Sequence, residues 1–253
     1  MSRDAEMKRA QGIAEILSNF EDELQENPRM VKAMAEISLD YKRGDVTAAT
    51  KSLHNYLDWR LKTFGHLEDQ CVAEDEKLED QLACNFLHVS PTRMSTGAAV
   101  VYISMKHHDP SVFSTADTIK CMHYLLITAM MEEPALGEKG FVLVNNMVDV
   151  ELHHLDMHFP VAIASAVGRS IPIRVSSVVM VDPPFLIRFI IPVLKSVLPA
   201  KLSERLHVVT DHETLPEVVH ATEQADLPVE LGGEVEFTTH EHVKRLHTEK
   251  WCV

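Results

Sequence analysis

The spacing of hydrophobic positions changes near residue 90. Before it the intervals are helical: Leu53, Tyr56, Leu57 and Arg60 fall on one face of DVTAATKSLHNYLDWR, and Asp45 at its head suits an N-cap. An acidic stretch follows (Glu68, Asp69, Glu74, Asp75, Glu76, Glu79, Asp80) and reads as a solvated helix face or connector. After Pro91, short β-branched runs alternate with helical patterns. AAVVYISM (98–105) predicts a strand, and a helix follows over 114–133, where Ser114 and Asp117 have capping-box spacing. FVLVNNMVDV (141–150) predicts a second strand and 159–169 a helix. RVSSVVMV (174–181) predicts a third strand, ended by Asp182-Pro183-Pro184. A very apolar helix over 185–198, a fourth strand LHVV (206–209), a helix near 213–223 and a turn LPVELGG (227–233) complete the pattern. Strands alternating with helices predict an α/β domain, with a mainly parallel (mixed) sheet and flanking helices, behind an all-helical lobe. The expected boundaries are 1–90 for the lobe, 91–239 for the α/β domain and 240–253 for a polar tail.

One segment departs from ordinary amphipathicity. In PPFLIRFIIPVLKSVLP, Arg188 and Lys195 are seven apart and share a helical face, while nearly every other position is apolar. Surface helices of soluble proteins show a narrower apolar stripe. This helix is therefore core on most sides, a lid over a hydrophobic ligand, or an interface. Periodicity does not choose among the three. Pro192 removes one backbone hydrogen bond and favours a kink.

Charge narrows the partners. The 253 residues carry a formal net charge of -14, which argues against nucleic acid. Residues 169–207 run the other way, with Arg169, Arg174, Arg188, Lys195, Lys201 and Arg205 against Asp182 and Glu204. Cys71, Cys84, Cys121 and Cys252 form no C-x-x-C pair, which implies a reducing compartment. The N-terminus has no apolar signal core, and the greasiest stretch is too short and too charged to span a bilayer. The expected location is the cytoplasm, peripheral at membranes.

Signatures of chemistry are missing. The sequence has no P-loop, no dinucleotide fingerprint following a strand, no nucleophile elbow and no zincin motif. Its 15 histidines include His107-His108, His153, His154 and His158, of which the last two are four apart and share a helical face, and the pair His240 and His242; none of these clusters has a recognised ligand spacing with cysteine. No catalytic residue, metal or cofactor is expected.

Motif order carries more. VVYISMKHHDPSVFSTADTIK, then GFVLVNNMVDV, then GRSIPIRVSSVVMVDPPFLIRFIIPVLKSVLPAKLSERLHVV, then LPVELGG, resembles a CRAL-TRIO domain over about residues 95–235. The P-I-R-V strand start, the Pro-Pro-aromatic turn, K-L-S-E-R and the closing L-P-x-E-L-G-G carry the likeness. It looks nearest to the tocopherol-transfer and retinaldehyde-binding branch, which shares the H-D-P motif. The preceding helical-lobe motif is diverged, reading Leu39-Asp40-Tyr41-Lys42-Arg43-Gly44.

The resemblance implies an apolar pocket closed by a mobile gate helix, here 185–198. Pocket positions of the family fall on Phe141, Asn145, Ile163, Val167, Ile171 and Val178. Tyr102 and Met180 on the strands, and Phe185, Phe189, Ile190, Val193 and Leu194 on the gate, complete the expected lining. Asn145 stands where the family has a bulky apolar group. Arg174, Lys201 and Arg205 match a basic cluster that engages phosphoinositide headgroups, with Ser176 in place of a further basic residue; Arg188 and Lys195 join them as expected membrane contacts. The implied function is binding and intermembrane transfer of a hydrophobic small molecule, such as a tocopherol, retinoid or phospholipid, at an anionic membrane surface. The alternative is a non-transferring protein-interaction or regulatory scaffold of the same fold.

Overall fold

The computed structural model describes residues 3–67, 72–133, 135–156, 158–197, 200–210, 214–218, 225 and 227–236, leaving out the side chains of 73, 168, 169, 194 and 197. The expected tail (240–253) and residues 68–71 of the acidic stretch lie outside the described residues. The N-terminal part is helical, as expected: α1 (Arg3–Leu17), α2 (Glu21–Glu26), α3 (Pro28–Tyr41), α4 (Val46–Phe64) and α5 (Glu76–Ala83). Local chemistry sets their ends. The Asn27 side chain accepts from the Met30 N–H at 3.1 Å, ahead of Pro28 in the first turn. Asp45 accepts from the Ala48 N–H at 2.9 Å, the expected cap, and α4 stops at Gly65 in the left-handed region.

The rest of the chain forms β1 (Leu87–Arg93), β2 (Ala99–Ser104), α6 (Thr115–Glu132), α7 (Leu136–Lys139), β3 (Phe141–Asn146), α8 (Phe159–Ser165) with a wide turn over Ala166–Ser170, β4 (Val175–Val181), α9 (Phe185–Val197), α10 (Ala200–Ser203), β5 (Leu206–Val209) and α11 (Leu215–Val218). The capping box of Ser114 and Asp117 forms at the start of α6. Of the helix expected over 213–223, the described part is α11 with Thr214 before it.

The strands pair in the order β1-β2-β3-β4-β5, with β1 antiparallel to β2 and the rest parallel. The mixed α/β sheet behind an all-helical part matches the fold class read from sequence. The edge strand β1 does not, because its residues were expected to end the helical lobe. Pro91, inside this strand, has no N–H to give to a ladder. At an edge, the side facing away from β2 needs no ladder donor, so Pro91 is tolerated; pairing slips between Val89 and Arg93.

Side chains alternate across the sheet. Val101 and Ile103 of β2, Leu143 of β3 and Met180 of β4 face the large core built with α6 and the N-terminal helices. Val100, Tyr102, Val142, Val144, Val179 and Val181 face a smaller core closed by Leu215, Leu227 and Leu231. Gly140 fixes the entry to β3: its φ is +86°, and a Cβ there would lie 2.5 Å from the Arg174 carbonyl oxygen, which accepts from the Phe141 N–H.

Candidate functional site

The large core is hollow between the sheet and α9, where an apolar cavity of about 380 Å³ lies. That is within the range of small-molecule sites. Its floor is Ile103, Leu143, Asn145, Val178, Met180 and Leu206 from four neighbouring strands. Met122 of α6, the α8 side chains Phe159, Val161 and Ile163, and Val167 form walls, and Ile187, Ile190, Ile191 and Val193 of α9 close it.

Seven of the expected lining residues meet here: Asn145, Ile163, Val167, Val178, Met180, Ile190 and Val193. Tyr102 does not. It is one position out of phase with Ile103, so its ring is buried on the opposite sheet face. Phe141 shares the cavity face but sits at the start of β3, fully buried away from the hollow. Ile171 likewise packs into solid core. Phe185 and Phe189 point outward, 75% and 64% exposed, which places them on the gate's outer surface instead of in the lining. The Leu194 side chain is outside the described set. Met105, Met122 and Leu206 line the cavity without having been expected. They come from separate elements, and no local pattern in the sequence joins them.

Helix spacing explains the two faces of α9. Ile187, Ile190 and Ile191 lie three and four apart and turn inward; Phe185 and Phe189 lie four apart and turn outward, and Val193, four further on, sits largely exposed at the cavity rim. Phe185 and Phe189 stack edge-on at 4.6 Å. With Leu186, they make an exposed apolar strip too concentrated to be incidental. The Arg188 Nε folds back to the Pro183 carbonyl at 2.9 Å, at the head of the same helix.

A second hollow adjoins the first. A cleft of about 560 Å³ is lined by Lys42, Arg43, Arg174, Lys201 and Arg205 among apolar and neutral residues, with no acidic side chain in its wall among the described residues. It shares Val167, Val175 and Leu202 with the apolar cavity, so the two are back to back. The structure brings together Arg174, Lys201 and Arg205, as the sequence suggested; Arg188 and Lys195 lie elsewhere on α9. It adds Lys42 and Arg43 from the end of α3. The signal for them was an adjacent pair of cations at a helix end before Gly44, in the motif read only as diverged. Arg43 has a φ of +55°, a conformation non-glycine residues seldom adopt. Arg174 Nη2 donates to the Tyr41 carbonyl at 3.3 Å, Arg205 donates to the Val175 carbonyl, and Arg174 Nε is buried with no partner among the described residues. Burial, then the Arg174 charge, push the Lys42 ammonium below its ordinary pKa; Lys201 adds to this and Asp45 opposes it. Its cations and its spare donor are the kinds of group that recognise anions.

The L-P-x-E-L-G-G turn has a structural task. Glu230 accepts from Ser104 Oγ at 2.8 Å and Asn146 Nδ2 at 3.3 Å, and lies 3.1 Å from Lys106 Nζ and 3.0 Å from His107 Nε2. Burial raises its pKa, but the bonds from His107, Ser104 and Lys106 outweigh that and hold it at about 2. A charged anchor thus ties the turn across the ends of β2 and β3. Among the described residues no group of three or more His, Cys, Asp or Glu side chains is arranged to hold a metal, and no helix is long and apolar enough to cross a membrane. His240 and His242 lie outside the described residues.

An α/β sheet solid on one face and hollowed on the other, under a helix that is itself half outside, defines a carrier-type ligand-binding domain. Comparison agrees. Residues 88–233 match the family model described as the CRAL/TRIO domain, which is more than half of the chain. The protein belongs to the CRAL-TRIO family, whose members are lipid-binding and transfer proteins rather than enzymes. The crystal structure of Sfh5 superposes with a TM-score of 0.53 at 11% identity, covering 84% of this chain and 81% of that one; such a likeness speaks for the fold alone.

Proposed function

We propose that this protein carries one hydrophobic molecule, of the tocopherol, retinoid or phospholipid kind, between membranes. It touches the bilayer through the outer face of α9 and grips anionic headgroups, phosphoinositides among them, in the basic cleft. One observation carries the reading: an apolar cavity whose covering helix is greasy on both faces, with a basic cleft sharing its wall. A sixteen-carbon chain loses on the order of 12 kcal/mol on leaving a bilayer for water, at about 0.8 kcal/mol per CH₂. Transfer avoids that loss if the cavity opens while the protein is against the membrane. Phe185, Leu186 and Phe189 supply the contact. Each cation near an anionic surface adds about 1 kcal/mol, enough to orient an acidic protein without fixing it there.

The test is a flotation and transfer assay on vesicles with and without phosphoinositide. Lys42→Glu with Lys201→Glu is expected to weaken association with phosphoinositide vesicles at least about tenfold and to leave neutral vesicles little affected. These two are chosen because Arg174 and Arg205 also hold backbone carbonyls. Unchanged association and transfer would refute the role of the cleft.

A further inference from the structure

One side chain in the cavity wall does not match the rest. Asn145 has Ile103 and Met180 beside it across the ladder, and Leu143 and Met147 before and after it on the same side; all four are apolar and line the cavity. Its amide has no hydrogen-bond partner among the described residues. The other hydrogen-bonding side chain in the wall among the described residues, Asp156, is occupied. It accepts from Thr115 Oγ1 at 2.5 Å and from the His158 N–H at 2.8 Å. The next residue along the strand shows the contrast. Asn146 faces the other way and is spent, donating to Glu230 at 3.3 Å and accepting from the Val148 N–H at 3.1 Å.

When cargo fills the cavity, water leaves and Asn145 keeps an amide that nothing in the wall satisfies. An unmatched amide in an apolar enclosure penalises every cargo that gives it no partner. The amide donates through Nδ2 and accepts through Oδ1, so a hydroxyl or a carbonyl satisfies it equally well. Among the described residues no basic side chain lines the cavity, and Asp156 is the only carboxylate there, so an anionic group would meet no counter-charge from them. We infer that Asn145 is a specificity residue that selects, among hydrophobic molecules, those bearing a neutral hydroxyl or carbonyl over plain hydrocarbons and over fatty carboxylates. This rests on the carriage reading and adds the chemical class of the cargo.

The test uses farnesol and farnesane, an isoprenoid alcohol and the hydrocarbon of the same skeleton, as radiolabelled probes retained by the purified full chain. Wild type is expected to hold farnesol about tenfold more tightly than farnesane. Asn145→Leu is expected to lose that preference while holding farnesane at least as well, which reports an intact cavity. Asn145→Ala is run beside it, so that a leucine that fits badly does not decide the matter. Equal affinity of wild type for both probes, or a preference that survives both substitutions, overturns the assignment and leaves carriage standing. Failure of wild type to retain either probe overturns carriage, and this inference with it.

Discussion

Helices α6 and α9 are the two most apolar long helices beside the sheet, and they meet opposite fates. Twelve of the eighteen residues of α6 are buried, whereas α9, the more apolar of the two, buries Ile187 and Ile191 and exposes Phe185, Phe189 and Val193. Their polar bonds differ in the same sense. Thr118 of α6 accepts from Gln81 of α5 at 3.1 Å, and His123 of α6 meets the Tyr56 hydroxyl of α4 at 2.9 Å. Those of α9 stay at home: Arg188 to Pro183, Ser196 to Val193. Hydrophobicity dictates that a helix be kept dry and leaves open what dries it. Protein does so for α6. For α9 the inner face meets a hollow and the outer face meets solvent, so cargo and membrane are left to do it.

Truncation breaks or confirms that contrast most sharply. Leu126 on α6 is fully buried, and Leu126→Ala is expected to cost about 3 kcal/mol, lowering the melting temperature by roughly 6–12 °C. Phe189→Ala removes more apolar surface, yet it is expected to change stability by no more than about 0.5 kcal/mol while weakening vesicle association. Calorimetry beside vesicle flotation reads both. Equal losses of melting temperature would mean that α9 is core like α6.

The sequence made the elements legible because their signals are local. Ser114 with Asp117, Asp45 before α4 and the β-branched runs of β2, β3 and β4 each specify their own structure. The fates of α6 and α9 were not legible, since burial depends on what the tertiary fold sets opposite a helix. The candidate site was read only in part for the same reason. Motif order pointed to Arg174, Lys201 and Arg205, but Lys42 and Arg43 arrive from a helix far back in the chain. Tyr102 was assigned to the wrong sheet face because a strand's phase is fixed by its neighbours; one step separates it from Ile103, which does line the cavity. Phe185 and Phe189 went wrong because an all-apolar helix has no polar face to say which way is in.

Acid distinguishes the two regions next. Two imidazoles whose charging burial opposes belong to the solid part. Burial, then the Arg60 charge, push His123 on α6 well below its ordinary 6.5, and burial takes His88 on β1 to about 4. A histidine whose pKa is lower folded than unfolded favours the folded state fully above 6.5, and that advantage is lost as pH falls toward the folded value. His88 alone accounts for on the order of 3 kcal/mol by pH 4. Glu230, depressed from 4.5 to about 2, adds a loss at lower pH, on the order of 1–2 kcal/mol after allowing for its partial exposure. The ionisable side chains of α9 are Arg188 and Lys195, with no carboxylate or histidine among them. Thermal unfolding is therefore expected at progressively lower temperature from pH 6.5 to 5, with no loss of vesicle association by the folded protein. A flat melting temperature over that interval would remove acid sensitivity as a mark of the solid region.

The smallest effect is the one aimed at motion. Pro192 sits inside α9, lacks the N–H that would bond the Arg188 carbonyl, and crowds that carbonyl with its ring. In an ordinary helix interior such a residue costs about 3 kcal/mol relative to alanine. Position 192 is exposed, so the proline brings no buried packing in return. What it does bring is a weak point midway along the cover, between the inward Ile191 and the rim residue Val193. If α9 must lift for cargo to pass, Pro192→Ala strengthens the helix against lifting without altering the cavity wall. Vesicle-to-vesicle transfer is then expected to slow about threefold, with cargo affinity at equilibrium unchanged. A proline in a static helix gives a different result: the substitution raises stability and leaves the transfer rate alone. The rate of exchange, and not the affinity, is thus the measurement that separates a helix built to move from one that is merely greasy.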